Sequence, residues 1–147
     1  SDDLNKYFDL NVFSPYMQIV STVKNEIRMS KNINHDLFGI EKLNQIRSTI
    51  PAVTHVDYSA RIQTVHKETN EIYYKLIKKF KDITGCSVLL NTSFNVRGEP
   101  IVNTPEDAYR CFMGTNLDIL VIENFVLKKT SQAKTQIKSY YKKFNLD

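Results

Sequence analysis

At 147 residues, 41% of them hydrophobic and 24% charged, the chain can build one packed core but is short for two. Its longest apolar runs, such as Ile119 to Ile122, fall far below the ~18 residues of a spanning helix, and no basic-then-apolar leader opens it. Membrane insertion and secretion are therefore not expected, and a cytoplasmic setting is. The net charge of +4 gathers at one end: residues 128–147 hold six lysines against one acid, Asp147, which leaves the body near neutral. A lysine-rich tail without interleaved arginines is a solvated face rather than a nucleic-acid footprint. Cys86 and Cys111 have neither metal-ligand spacing nor a paired framework, so both are expected as buried free thiols.

In chain order, Ser1 to Leu10 has Leu4, Tyr7 and Phe8 on one helical face, and its abrupt start is expected of a chain cut from something longer. Ser14 to Val23 is expected as a strand with Met17, Ile19 and Val23 on one side. Residues 25–45 are polar and aperiodic, with a short helix near Ile40 to Ile46, and make the best candidate for a mobile segment. Val53 to Val56 and Ile62 to Val65 follow as two short strands, or as one strand interrupted at Asp57 to Arg61.

The clearest helix runs from Glu68 to Thr84, with Ile72, Leu76, Phe80 and Ile83 on one stripe and Gly85 as its stop. Cys86 to Leu90 is expected as a strand. Thr104 then opens a helix to about Asn116, with Pro105 at its first position and Asp107 at its third. Strands at Leu117 to Ile122 and Phe125 to Leu127 precede an amphipathic tail helix over 130–147, striped by Ile137, Tyr141 and Phe144. Helices alternating with strands predict an α/β or α+β layered domain.

Between the expected strand Cys86 to Leu90 and the Thr104 helix lies the loop Asn91 to Ile101, rich in short hydrogen-bonding side chains. Ser93 and Asn95 offer hydrogen bonds, Arg97 can grip a phosphate or carboxylate with two parallel donors, and Gly98 allows backbone conformations closed to other residues. Glu106 and Asp107 already occupy the first turn of the next helix, which directs an anion to the loop rather than to the helix terminus. The plain alternative is a loop that only caps strand and helix ends. The residues alone leave the two readings level.

Pro51-Ala-Val-Thr-His-Val-Asp57 with Ala60-Arg-Ile-Gln-Thr-Val65, then Val88-Leu-Leu-Asn-Thr-Ser-Phe-Asn-Val-Arg-Gly-Glu-Pro-Ile-Val102 and Thr104-Pro-Glu-Asp-Ala108, resemble in order the C-terminal region of the O-carbamoyltransferase family. That family includes the nodulation-factor, cephamycin and tobramycin types. Ser93 to Pro100 also resembles the Ser-Ala-Asn-x-Ser-Gly-Glu-Pro loop of YrdC-like domains, which bind ATP. The resemblance implies a YrdC-like layered domain, a twisted mixed sheet flanked by helices and truncated on its N-terminal side. It spans residues 1–129, with the tail 130–147 separate.

The implied activity uses ATP and carbamoyl phosphate to form carbamoyl adenylate, with magnesium accompanying the nucleotide. A Kae1-like domain outside this chain would pass the carbamoyl group to a substrate hydroxyl. The resemblance makes Arg61 and Arg97 electrostatic clamps, with Thr92, Ser93, Asn95 and Gly98 joining them in nucleotide binding. No metal ligands are implied in this chain. Two departures stand out: Tyr58-Ser59 replaces the usual Gly-Thr, placing a bulky ring at a turn, and the Arg-Glu-x-x-x-Arg-Pro-Phe-Ala-Pro segment that precedes this region in the family is absent. The isolated chain is accordingly expected to be catalytically incompetent.

Other roles stay open beside these. Arg61 could be an ion-pair partner of Asp57, and Asp57 could instead hold its own turn. His55 is expected as a packing residue in a strand more than as a base, and His35 and His66 have no constellation around them. A non-catalytic interaction module, docking an acidic partner or nucleic acid through its basic tail, is the alternative to the enzyme reading.

Overall fold

A computed structural model describes residues 2–29, 33–34, 36–133, 140 and 144. It divides into two compact units, Ser1–Leu90 and Asn91–Asp147.

In the first unit, helix α1 (Leu4–Tyr7) leads to strand β1 (Ile19–Thr22), which pairs antiparallel with β2 (Ser59–Ile62). The register sets Val20 opposite Arg61 and Thr22 opposite Ser59. Side chains alternate across β2, so Ala60 and Ile62 enter the core while Arg61 stays exposed. Tyr7, Phe8, Leu10, Val23, Ile50, Ala60 and Ile62 form that core, with Cys86 and Val88 packed against it. Each large side chain buried here contributes about 1.5–3 kcal/mol relative to exposure.

The first expected strand is shorter than its apolar pattern. Met17 takes a left-handed φ of 58° just after Pro15, which breaks the extended chain, and pairing starts only at Ile19. Ser14 docks by other means: its Oγ donates to the Ile62 carbonyl over 2.7 Å, and its N–H donates to Thr64 Oγ1 over 2.9 Å. Further on, α2 (Gly39–Leu43) overlaps the predicted short helix and ends three residues before it. Its last carbonyls are capped by the buried Arg47, which donates to Leu43 and Gln45 carbonyls at 3.2 and 2.9 Å and also to that of Lys42.

Residues 51–65 are placed differently from the two expected strands. Pro51–Val53 is a 3-10 turn, His55 to Tyr58 a reverse turn, and the strand occupies Ser59–Ile62, largely within the presumed interruption. Tyr58 accounts for the shift: it sits at φ 61° where the resembled pattern has glycine, and its amide donates to the His55 carbonyl over 3.1 Å. The Arg28 guanidinium lies 5.0 Å above the Tyr58 ring and offsets part of that strain. His55 is therefore a turn residue.

Helix α3 (Glu71–Thr84) matches its prediction closely. Asn70 caps it by accepting from the Tyr73 amide, and Gly85 ends it at φ 78°. Its stripe, however, is not buried: Ile72, Leu76 and Ile83 are 85%, 56% and 73% exposed. Cys86 to Leu90 then continues without strand pairing, because among the described residues no neighbouring strand supplies the ladder that defines one.

In the second unit, α4 (Pro105–Gly114) opens with the expected capping box, Thr104 accepting from the Asp107 amide and Asp107 accepting in return. It packs on the hairpin of β3 (Ile119–Ile122) and β4 (Phe125–Lys128), which turns at Glu123, φ 51°. Ala108, Phe112 and Leu120 form the contact, with Phe94 and Val102 against it. Lys129 donates to the carbonyls of Phe112 and Thr115 and so caps the end of α4.

The expected mixture of helices and strands is present. Among the described residues the sheets are two separate antiparallel pairs rather than one mixed sheet. The expected tail stripe falls mostly outside the described residues, since Ile137 and Tyr141 are among those not described. Tyr140 and Phe144 are described, ring centroids 5.3 Å apart, packed with Val96 and Cys111.

Candidate functional site

The loop expected to bind a ligand is a built structure. The Glu99 amide donates to the Val96 carbonyl over 3.0 Å, closing a turn in which Gly98 takes φ 80°. Arg97 therefore stands at the turn tip, exposed. Below it, Val96 is buried, and the Val102 amide donates to the Phe94 carbonyl over 3.0 Å to close the loop base. Thr92, Ser93 and Arg97 make no side-chain hydrogen bond or ion pair among the described residues, and all three are exposed.

Asn95, expected as a ligand contact, is engaged by the loop through its amide nitrogen. Its amide nitrogen donates to the Glu99 and Val96 carbonyls at 2.7 and 3.2 Å, so those donors are committed to the loop itself. Because Cys86 to Leu90, expected as a strand, makes no ladder among the described residues, the loop does not follow a strand end. What fixes it is its own hydrogen bonding and the packing of Val96 and Phe94.

Two residues missed by sequence reasoning hold this loop. Glu99 accepts the Val96 amide at Oε2 over 2.9 Å, and its other oxygen accepts the phenol proton of Tyr140. Tyr140 is 4% exposed, and burial first and then the Glu99 carboxylate raise its pKa well above the ordinary phenol range. The ring lies in space left open by Gly114, where a Cβ would collide with it. Glu99, Ile101, Asn103, Asp107, Arg110 and Tyr140 are among the residues lining a pocket of roughly 440 Å³. None of Thr92, Ser93, Asn95, Arg97 or Gly98 lines it. The signal available in the sequence was the Gly98-Glu99-Pro100 step itself, since a carboxylate inside a tight loop needs donors.

Cys111 lies beside this arrangement, buried, with its pKa pushed up to about 11 from 9.0 by burial and then by Glu99. Its thiolate fraction at pH 8 falls about 100-fold below that of an ordinary thiol. Iodoacetamide should therefore leave Cys111 unmodified while it alkylates the same residue readily in urea, as followed by mass spectrometry. Equal rates in the two conditions would contradict the burial.

Arg61 belongs to the first unit, exposed on β2. It makes no ion pair with Asp57 among the described residues. Asp57 instead accepts from the Ser59 hydroxyl at 2.7 Å and the Ser59 amide at 3.0 Å, and those two bonds lower its pKa. Asp57 is thus the holder of its own turn. His66 is tied to Thr64 Oγ1 at 3.1 Å and to the Phe13 ring, consistent with a packing role. Among the described residues no group of three or more His, Cys, Asp or Glu side chains is placed to hold a metal ion. No helix among them is long and apolar enough to cross a membrane.

This mixed helix-and-strand region thus presents a guanidinium, unengaged among the described residues, at the tip of a self-bonded turn, with the exposed hydroxyls of Thr92 and Ser93 preceding it in the same loop. The sequence profile described as Carbamoyltransferase C-terminus matches residues 1–129, and the chain belongs to that family. An uncharacterized protein of Synechocystis is 57% identical over 149 residues, covering 100% of this chain and 24% of the relative. The nodulation protein NolNO of Sinorhizobium fredii is 47% identical over 83 residues, 56% of this chain and 12% of the relative. A 3'-hydroxymethylcephem-O-carbamoyltransferase of Amycolatopsis lactamdurans is 33% identical over 106 residues, 72% of this chain and 16% of the relative. The chain thus spans about a quarter or less of the length of these relatives.

Proposed function

We propose that the complete polypeptide is an O-carbamoyltransferase to which this region contributes part of the site that makes carbamoyl adenylate from ATP and carbamoyl phosphate. The observation that carries this reading is the Arg97 turn: a guanidinium on a self-bonded loop, preceded in the same loop by the unengaged hydroxyls of Thr92 and Ser93, in a region shared with named O-carbamoyltransferases.

In the proposed reaction, water hydrolyses carbamoyl phosphate to carbamate and inorganic phosphate, and a carbamate oxygen then attacks the α-phosphorus of ATP. The bond from that phosphorus to the β-phosphate bridge breaks, and pyrophosphate leaves. Such a displacement needs fixed positive charge and donors around the phosphoryl oxygens rather than a protein nucleophile. Arg97 supplies a charged fork, Ser93 and Thr92 supply hydroxyl donors, and Gly98 permits the turn that presents them. Arg61 is assigned a phosphate contact of its own from the exposed face of β2. Magnesium arriving with ATP would be held chiefly through the phosphates, where it would neutralise developing charge.

Titration of the complete polypeptide with ATP and with carbamoyl phosphate tests the site assignment. Ser93→Ala should weaken binding of one of the two by about 5- to 10-fold. Unchanged affinity for both in Ser93→Ala and Arg97→Ala alike would remove the loop from the site.

A further inference from the structure

His55, Asp57 and Ser59 make a hydrogen-bonded row at the turn leading into β2, and its proton positions can be deduced. Ser59 Oγ lies 2.7 Å from Asp57 Oδ1 and 2.9 Å from His55 Nδ1. The Asp57 carboxyl, held below its usual range by hydrogen bonds from the Ser59 hydroxyl and then from the Ser59 amide, is an acceptor only near neutral pH. The single hydroxyl proton of Ser59 is therefore committed to Asp57, and His55 Nδ1 must donate to Ser59. In the neutral form of the ring, which carries one N–H, Nε2 is then a bare lone pair. The His55 side chain is exposed, and among the described residues Nε2 makes no hydrogen bond. Ser59 and Arg61, two residues apart on β2, share the face opposite Ala60 and Ile62. The Ser59 side chain that holds His55 and the Arg61 guanidinium, unpaired among the described residues, thus lie along one side of one strand.

We infer that His55 is a specificity-determining residue whose Nε2 accepts an N–H of the carbamoyl group, alongside a phosphate held by Arg61. The inference rests on the carbamoyl-adenylate reading above and adds how the carbamoyl group is told from its isosteres. A lone pair attracts an amide N–H and repels a carboxylate or phosphate oxygen, whereas acetyl phosphate, with methyl in place of amino, offers it nothing. Asp57 and Ser59 act through His55, as positioning residues that hold the tautomer.

The test uses the complete polypeptide labelled with [15N]histidine, at a pH where the ring is neutral, with the His55 signals assigned by their loss in His55→Gln. The expected result is an Nδ1-protonated, Nε2-bare ring that reverts toward the usual Nε2-protonated form in Asp57→Asn and Ser59→Ala. In parallel, the ratio of acetyl phosphate Ki, as competitor, to carbamoyl phosphate KM should fall about 10-fold in His55→Ala, and should fall in Asp57→Asn as well. An Nε2-protonated ring in the wild type, or an unchanged ratio in His55→Ala, would overturn the inference alone. A wild-type polypeptide that neither binds nor turns over carbamoyl phosphate would overturn the underlying reading, and the inference with it.

Discussion

Arg97→Ala in the complete polypeptide is expected to lower kcat/KM for carbamoyl phosphate-dependent transfer by about 100-fold, the usual consequence of removing a charged donor aimed at developing phosphoryl charge. The reason lies in the loop's construction. Arg97 occupies the tip of a turn closed by the Glu99 amide, underpinned by buried Val96 and stiffened by both donors of Asn95, so its guanidinium is presented on a support that does not have to reorganise. Arg97→Lys should recover only part of the loss, because an ammonium is a point charge without the planar fork. Gly98→Ala should cost less, about 1–2 kcal/mol of loop stability, since φ 80° is strained for any residue with a Cβ. A loss below about threefold in Arg97→Ala would separate Arg97 from the chemistry.

The largest stability effect is expected at Phe112, the fully buried ring at the centre of the second unit. Phe112→Ala should destabilise that unit by about 3–5 kcal/mol, through lost burial and the cavity left behind. The ring packs with Ala108 and Leu120, and Phe94 and Val102, which bracket the Arg97 turn, rest on the same cluster. Lys129 also lies 4.8 Å above its face. The variant should therefore show both a lower unfolding temperature and greater protease sensitivity within residues 91–129 of the complete polypeptide. Thermal and proteolytic profiles matching the wild type would contradict this account of the core.

What the sequence made legible was chiefly local. The capping box of Thr104 and Asp107, the Gly85 stop of α3 and the β3–β4 hairpin depend on residues a few positions apart and form where expected, whereas α3 begins three residues after the expected Glu68, behind an Asn70 cap. Strands were harder, because a strand exists through its partner. Cys86 to Leu90 has a strand's composition but no ladder among the described residues, and Ser14 to Ile19 is broken by a methionine in a left-handed conformation that no pattern announces. Tyr58 at φ 61° moved β2 by the same mechanism. The amphipathic period of α3 was correct, yet periodicity says nothing about what covers a face, and this one is exposed.

Within the candidate site, the turn and the freedom of Arg97 were legible from Gly98 and residue chemistry. The commitment of Asn95 to its own loop was not, because an amide serves a backbone and a ligand equally well. The bond from Tyr140 to Glu99 joins residues 41 positions apart and could not be read from spacing.

The most direct measurement is the exchange of labelled pyrophosphate into ATP by the complete polypeptide, with and without carbamoyl phosphate. The account predicts exchange that requires carbamoyl phosphate and falls about 100-fold in Arg97→Ala. Exchange that is absent from the wild type, or that persists undiminished in the variant, would contradict it.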